Sequence, residues 1–440
     1  MEAKTFDSGM YIPHYKEYTK DKPIEELGLP DRVVIPLLQH LGETCDPVVE
    51  VGDYIVPGQK IGDHGEYWSA PIHSGVAGEV VAIEDRPHPK KDKVKAVIIE
   101  VDHDGPRDFE VEEVRDPDLM TEEEMKEAIR KAGAIGMGGG ACPTYINIDI
   151  DESVDCLILN GAECEPFLTC DHRVMVERAD DLIGGAEVLM KIIGANHCHI
   201  GIEINKPDAI EILQEKLEGR DDIKVEPLDD KYPQGYKKNI IKSITGKEPP
   251  PGARSAEVGC IVKNVSTAVA AYEAVVYGKG CYERVVTVSG PDTVPEPGNY
   301  LIKIGTTVRE VLTRCGVDTS ELDGYKVIMG GAMTGNTQTT LDVPVTKSTT
   351  GILLLPPDMV VNHEEYMPCI RCGKCARYCP MFLYPGRLSN FAERGQYDLA
   401  EEWKVDLCAE CGICSFVCPS QRPVVHMLME AKAEIKKRRK

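Results

Sequence analysis

The sequence predicts a multidomain chain of mixed α/β and β architecture that ends in a small cysteine-built domain. Three observations carry this reading. The 440 residues exceed the roughly 100 to 200 of a single domain, so about three or four units are expected. Short strands punctuated by Gly and Pro fill 33–101, after which helical and strand patterns alternate. Two cysteine runs then close the chain between Cys369 and Cys418. Composition narrows the function classes. With 42% hydrophobic and 28% charged residues the chain is an ordinary globular one. Its 73 acidic against 50 basic residues give a net charge of −23, which argues against a general nucleic-acid binder. No apolar stretch reaches the roughly 18 to 20 residues of a membrane-spanning helix. The polar start lacks the apolar core of a secretion signal, so a cytoplasmic location is expected, with the cell membrane touched only peripherally through partners. Seventeen cysteines, an odd number clustered near one end, favour metal ligation over disulfides.

The first unit, 1–115, reads as an N-terminal β domain. Its pattern VGDxxxxGQ followed by SAPIxxxVxGEV resembles the flattened barrel-sandwich of biotinyl and lipoyl carriers. The hairpin between those halves, Ile61 to Trp68, offers no lysine to modify, so it is expected to be scaffold. His64 and His73 are read as packing residues. A second unit, 116–284, opens with Thr121 and Glu124 placed as a capping box for the following helix. The loop Gly136-Met-Gly138-Gly139-Gly140-Ala-Cys142-Pro143-Thr144 comes next. It follows a helix and runs into proline, unlike the dinucleotide fingerprint of a βαβ unit. Its four glycines nevertheless expose backbone N–H groups to a flat ring or a phosphate. Strands at 155–160, 198–204 and 223–228 alternate with helices at 180–193 and 207–217, which predicts an α/β domain with a largely parallel sheet. Asn160 leads into Glu163 and Glu165, where ligands of such sheets bind; the pair fits ribose hydroxyls and a solvated loop equally. Lys263-Asn264-Val-Ser-Thr267 starts a helix reaching about Tyr277. A third unit, 285–357, has the strands and the single helix, begun at Thr307 and Glu310, of a small β-grasp-like module.

The last unit, 358–440, carries the strongest signal. Cys369-x2-Cys372-x2-Cys375-x3-Cys379-Pro380 is repeated as Cys408-x2-Cys411-x2-Cys414-x3-Cys418-Pro419. Three thiolates at this spacing wrap one [4Fe-4S] cube, and the fourth, before its proline, turns to the other cube in two-cluster ferredoxins. Cys369, Cys372, Cys375 and Cys418 are thus expected to hold one cluster, and Cys408, Cys411, Cys414 and Cys379 the second. Structural zinc, the rival, prefers two separated cysteine pairs. Gly373 and Gly412 sit where the backbone must curl, and His363 and His426 receive no ligand role. Two such clusters form a one-electron wire, so something upstream must supply electrons.

Taken in order, the β domain, GMGGGACPT, LNGAECEPFLTCDHR, GIEINKPDA, KYPQG, KNVSTA, the β-grasp-like module and the two cysteine runs resemble the RnfC family, the NADH-side subunits of ferredoxin:NAD oxidoreductases. The middle third also resembles the flavin subunit of respiratory complex I. The resemblance implies a complex I flavin-subunit-like α/β domain and an SLBB-like β-grasp module. It implies FMN held by Gly136, Gly138, Gly139, Gly140, Asn160 and Asn264, and NAD(H) beside Glu163 and Glu165. Glu203, Asn205, Lys206 and Thr267 lie in matching motifs. Electrons would pass reversibly between NADH, FMN and the clusters, with the partners setting direction: other subunits of a multi-subunit, ferredoxin-linked redox complex. A soluble relative feeding a methylenetetrahydrofolate or proline reductase, and a flavin-free wire and docking subunit, are the alternatives. Two departures stand out: Cys142 replaces an aromatic residue and Asn147 a lysine. Losing that cation is worth roughly 1 to 3 kcal/mol of charge-assisted bonding unless Lys206 or Lys238 compensates. The basic tail 434–440 reads as a solvated helix end or as a contact to a membrane surface or an acidic partner.

Overall fold

The computed structural model describes residues 2–439 apart from 66–67, 151 and 362–365. The hairpin tip at 66–67 and His363 therefore lie outside the described residues. In the N-terminal domain, strands Arg32–Pro36, Lys91–Val101, Gly78–His88 and Tyr54–Ile55 form one antiparallel sheet, in that order. Strands Asp46–Pro47, Lys60–Asp63 and Ile72–His73 form a second. Strand alternation turns Val33, Ile35, Val97 and Ile99 into the core between the two sheets, with Ile55, Ile61 and Ile72. His73 is buried here, and burial pushes its imidazole down to about 3, so it packs as a neutral ring.

The α/β domain is built on a wholly parallel sheet in the order Ile223–Leu228, His197–Glu203, Cys156–Gly161, Cys260–Asn264. Helices Ala179–Ile193 and Val265–Tyr277 cover one face and Lys237–Thr245 the other, which is why the strands read as near-continuous apolar runs. The two covering helices cross closely because Gly185 has no side chain: a Cβ there would stand 2.1 Å from the Ala268 carbonyl oxygen. Helix Glu122–Lys131 begins with both bonds of the expected capping box, between Thr121 and Glu124. The glycine loop does open a helix, the single turn Thr144–Ile148, because Pro143 presets the entry.

The next sheet has six strands in the order Ile24–Glu26, Gly298–Lys303, Glu283–Ser289, Gly351–Leu355, Lys326–Met329, Asn336–Thr337. One edge comes from the far N-terminus. Residues 2–26 leave the β domain, bridge Lys4 to Leu228 and Met10 to Tyr232, and pair Ile24–Glu26 with Asn299–Leu301. Helix Val308–Arg314 is capped by the Thr307 hydroxyl, but Glu310 bonds Arg314 instead of returning to the cap. A favourable i,i+4 pair takes the carboxylate that a capping box would use.

The cysteine domain repeats its own backbone. Short helices Lys374–Arg377 and Ile413–Phe416 follow Gly373 and Gly412, whose φ values are +76° and +79°. The longer helices Pro385–Glu393 and Val424–Arg438 come next in each half. Arg371 and Glu410, and then Phe382 and Gln421, adopt positive φ at equivalent positions. At the tail, Lys437, Arg438 and Arg439 pair with Glu434, Asp398 and Glu401, so these three cations are answered within the chain. Among the described residues no helix is long and apolar enough to cross a membrane.

Candidate flavin and iron–sulfur site

The sheet and the loops at its C-terminal edge gather the residues singled out in the middle third. In the glycine loop, Gly136 N–H donates to the Cys142 carbonyl (2.8 Å) and Ala141 N–H to that of Gly136 (3.0 Å). The Met137 N–H donates to the Thr267 hydroxyl at 2.9 Å. Gly138 packs on Asn264, where a Cβ would stand 3.2 Å from the Asn264 Cβ, whereas Gly139 (φ +92°) and Gly140 face open space. Asn264 donates to Asp171 (2.6 Å) and accepts from Ser266 N–H (2.9 Å). Asn160 donates to the Gly235 carbonyl and accepts from Ala162 N–H.

The carboxylates answer the question left open by the sequence: neither sits on a solvated loop. Glu163 accepts from the Asp171 and His172 N–H groups at 2.7 and 3.2 Å, at the start of helix Cys170–Glu177. Glu165 reaches the other way, accepting from Met333 N–H (2.8 Å) and the Thr334 hydroxyl (2.5 Å). Burial pushes both carboxyls, and that of Glu203, above their usual range. Lys206 is fully buried and spent: it donates to the Ala162 carbonyl (2.6 Å), Asn205 (2.8 Å) and Glu203 (3.1 Å). Lys206 therefore has no spare donor for the place of the lysine missing at Asn147. Among the described residues Lys238 reaches only the Pro250 carbonyl.

Two lysines outside the expected set matter more. Lys16, on the N-terminal arm, donates to the carbonyls of Glu163 (2.8 Å), Glu165 (3.0 Å) and Leu168 (2.6 Å) and so fixes the whole acidic loop. Tyr15 beside it stacks on Phe167 with centroids 4.7 Å apart. No motif announces this lysine. Lys263 is 6% exposed and has no hydrogen-bond or ion-pair partner among the described residues. Strand alternation places it on the sheet face opposite Val262, at the same edge as Asn264. Burial, with the nearby Lys237, pushes its ammonium down to about 7, and Cys142 is the group that opposes this. An uncompensated buried cation is costly, and an anionic group at the glycine loop would satisfy it. Among the described residues buried Glu203 Oε1, Thr144 Oγ1 and Arg284 Nη2 also have no hydrogen-bond partner. Flavin phosphate and ribityl groups supply the acceptors and donors that such atoms need, so the residues present fit FMN.

The eight C-terminal cysteines surround two spaces. Cys369, Cys372, Cys375 and Cys418 line a cavity of about 590 Å³ near the surface. Cys379, Cys408, Cys411 and Cys414 line a second, smaller one. Gly386 leaves room beside the first set, since a Cβ there would stand 3.2 Å from the Cys375 sulfur. Four soft donors around each space are the donor chemistry of an iron–sulfur cube. Among the described residues no three His, Cys, Asp or Glu side chains converge closely enough for a single metal ion.

The two sets differ in place. Cys372 is exposed, whereas Cys379 and Cys414 are buried. Tyr232 donates to the Cys411 carbonyl (2.8 Å) and lies 3.3 Å from Glu165. Ile413 packs with Ile12 and Tyr232, and a Cβ on Gly412 would meet the Met333 carbonyl oxygen at 2.7 Å. The inner cysteine set is thereby fastened to the loop that carries Glu163 and Glu165.

Three family models match separate stretches of the chain. Residues 4–104 match the RnfC barrel sandwich hybrid domain, 129–273 the Nuo51 FMN-binding domain, and 365–422 a 4Fe-4S dicluster domain. A component of the proton-translocating ferredoxin:NAD(+) oxidoreductase complex of Clostridium ljungdahlii is 41% identical over 91% of this chain and 87% of its own. The chain belongs to the RnfC family. A second RnfC relative, from the Na(+)-translocating ferredoxin:NAD(+) oxidoreductase complex of Acetobacterium woodii, is 38% identical over 98% of this chain and 97% of its own. The RnfC-like chain of Salmonella arizonae, from an ion-translocating oxidoreductase complex, is 37% identical over 98% of this chain and 64% of its own. The architecture is therefore an N-terminal barrel-sandwich, a flavin-binding-type α/β domain and a C-terminal dicluster domain, in an oxidoreductase subunit.

Proposed function

We propose that this chain is the NADH-side electron-transfer subunit of a multi-subunit, ferredoxin-linked complex, working on the cytoplasmic face of the cell membrane through its partners. The observation that carries this is the bridge from the acidic loop to the inner cysteines through Glu165 and Tyr232. It joins a flavin-type pocket and a dicluster domain in one continuous framework. In this reading FMN occupies the cradle of Gly136, Gly138, Gly139, Gly140, Asn160, Asn264 and Thr267, and NAD(H) approaches on the Glu163 side. Bound FMN supplies the exchange between a hydride pair and single electrons.

The chain's own residues hold and orient. Lys263 pairs with the FMN phosphate and replaces the cation lost at Asn147. Asp171 fixes the Asn264 amide, and Thr267 fixes the loop at Met137. Glu203 and Lys206, bonded to each other, brace the acidic loop from beneath. Two four-thiolate sets hold [4Fe-4S] clusters, Cys379, Cys408, Cys411 and Cys414 inside and Cys369, Cys372, Cys375 and Cys418 outside. The six-stranded module, read as β-grasp (SLBB-like), presents Met333 and Thr334 to Glu165 and keeps the domains in register. Because each exchange is reversible, the redox partners set the direction. Purified anaerobically, the chain should carry about one FMN and about eight irons and reduce an artificial dye with NADH. Iron without flavin or dye reduction would overturn the proposal.

A further inference from the structure

Two cysteines outside the C-terminal runs stand side by side in the parallel sheet. Cys156 opens the strand that carries Asn160, and Cys260 opens the strand that ends in Asn264. The cysteines are register partners, as the two asparagines are at the other end. Register partners on neighbouring strands point to the same face. Both thiols lie in the apolar layer under helix Lys237–Thr245, with Ile158, Ile240 and Ile244, and they share a hydrogen bond. Cys198, on the next strand, pairs with Leu157 and turns with it to the opposite face, so it does not compete. The two strand starts are tied together, because the Asp155 and Cys156 N–H groups both donate to the Gly259 carbonyl, at 3.2 and 3.1 Å.

Neither thiol has a part in the flavin-type pocket or in the cysteine domain, and the pair has what a reversible disulfide needs. Partner Cα atoms on adjacent strands stand about 4.8 Å apart. That is within the roughly 4.4 to 6.8 Å a disulfide spans and near its short end, where the bond is more easily reduced. The hydrogen bond from Cys156, helped by the nearby Lys247 ammonium, pulls the Cys260 thiol below its ordinary value against burial and Asp155. This raises the share of thiolate, the form that attacks a disulfide. Lys247 Nζ donates to the Val258 carbonyl at 3.0 Å, and the Cys260 thiol approaches the same oxygen at 3.7 Å. Access is through Cys156, which is 8% exposed next to exposed Asp155, whereas Cys260 is 0% exposed.

We infer that Cys156 and Cys260 form a redox-sensitive modification site, closed to a cross-strand disulfide by a small-molecule disulfide and reopened by the corresponding thiol. One sulfur displaces RS⁻ from RSSR to give a mixed disulfide, and the other then displaces the second RS⁻. The two cysteine protons leave with the two RSH. Among the described residues the strand of Cys260 is the sheet edge and pairs only with the strand of Cys156. The new bond therefore staples down the strand that carries Lys263 and Asn264. Its consequence for flavin binding rests on the proposed function, whereas the disulfide itself does not.

To test this, the full chain, prepared anaerobically with its clusters, is equilibrated in mixtures of mercaptoethanol and its oxidised dimer. It is then quenched in acid, alkylated and mapped by peptide mass spectrometry. Peptides joined through Cys156 and Cys260 should rise from about a tenth to about nine tenths of the chain over a roughly hundredfold fall in the ratio of squared thiol to disulfide, as one two-electron couple requires. They should disappear when thiol is restored. Amide exchange across 261–264 should slow about threefold or more in the linked wild type and stay unchanged in Cys156→Ser under the same mixtures. Iron content before and after reports whether the eight C-terminal thiols stay ligated. Free thiols at every ratio, a mixed disulfide alone, or Cys156 joined to Cys198 would overturn the inference. Unslowed exchange in linked wild type would overturn the stapling of the edge strand.

Discussion

Replacing Lys263 by methionine removes a buried ammonium while keeping an unbranched side chain. In the empty protein this cation costs stability, because burial lowers its pKa from 10.5 to about 7. That difference disfavours the charged form by roughly 5 kcal/mol. Between those two values the unfolded chain binds more protons than the folded one, so empty wild-type protein gains stability as pH rises from 7 towards 10. Lys263→Met should remove that gain and raise the melting temperature at pH 7. Bound FMN reverses the sign, because its phosphate favours the ammonium. A charge-assisted bond of roughly 1.5 to 3 kcal/mol corresponds to a loss of about 10- to 150-fold in FMN affinity at pH 7. Wild-type affinity should fall as pH rises above 7, and the variant should be flat. Quenching of flavin fluorescence gives both constants, with riboflavin as the control that lacks a phosphate. Equal losses for FMN and riboflavin, or an FMN loss under about threefold, would refute the assignment of Lys263 to the phosphate.

Other perturbations report on the frame around the site. Lys16→Met orphans three carbonyls, that of Leu168 buried, and should cost about 2 to 4 kcal/mol in denaturant unfolding, with FMN affinity falling as the acidic loop loosens. Gly412→Ala strains a φ of +79° and drives a Cβ into Met333; Gly373→Ala shares the strain at +76° but meets open space. Iron content and protease resistance of the dicluster domain should therefore suffer far more in the first than in the second. Gly185→Val forces the two covering helices apart against Ala268 and should lower stability by about 1 to 3 kcal/mol or more.

Local signals carry much of this architecture. The period-two pattern at 33–101 and the turn glycines yield the sandwich, and apolar strands alternating with amphipathic helices yield the parallel sheet, with boundaries displaced by about a residue at each end. The cysteine spacing sorts eight thiols into two sets of four, and two cavities are lined by those same sets. Long-range features were not legible. Lys16 acts about 150 residues away in sequence, through an arm whose composition gives no sign of it. The bonds of Glu165 to Met333 and Thr334, which come from another domain, give no signal around Glu165 itself. Asn147 announces a missing cation, yet the candidate replacement becomes visible only when alternation and burial single out Lys263.

The arrangement orders the two cysteine sets: the inner one touches the flavin-side loop and the outer one meets solvent. Substituting serine for Cys411 and Cys414, then mixing anaerobic protein with NADH and freezing samples for electron paramagnetic resonance, tests that order directly. The account predicts that the flavin still bleaches while the outer cluster stays oxidised. Reduction of the outer cluster at the wild-type rate would contradict it.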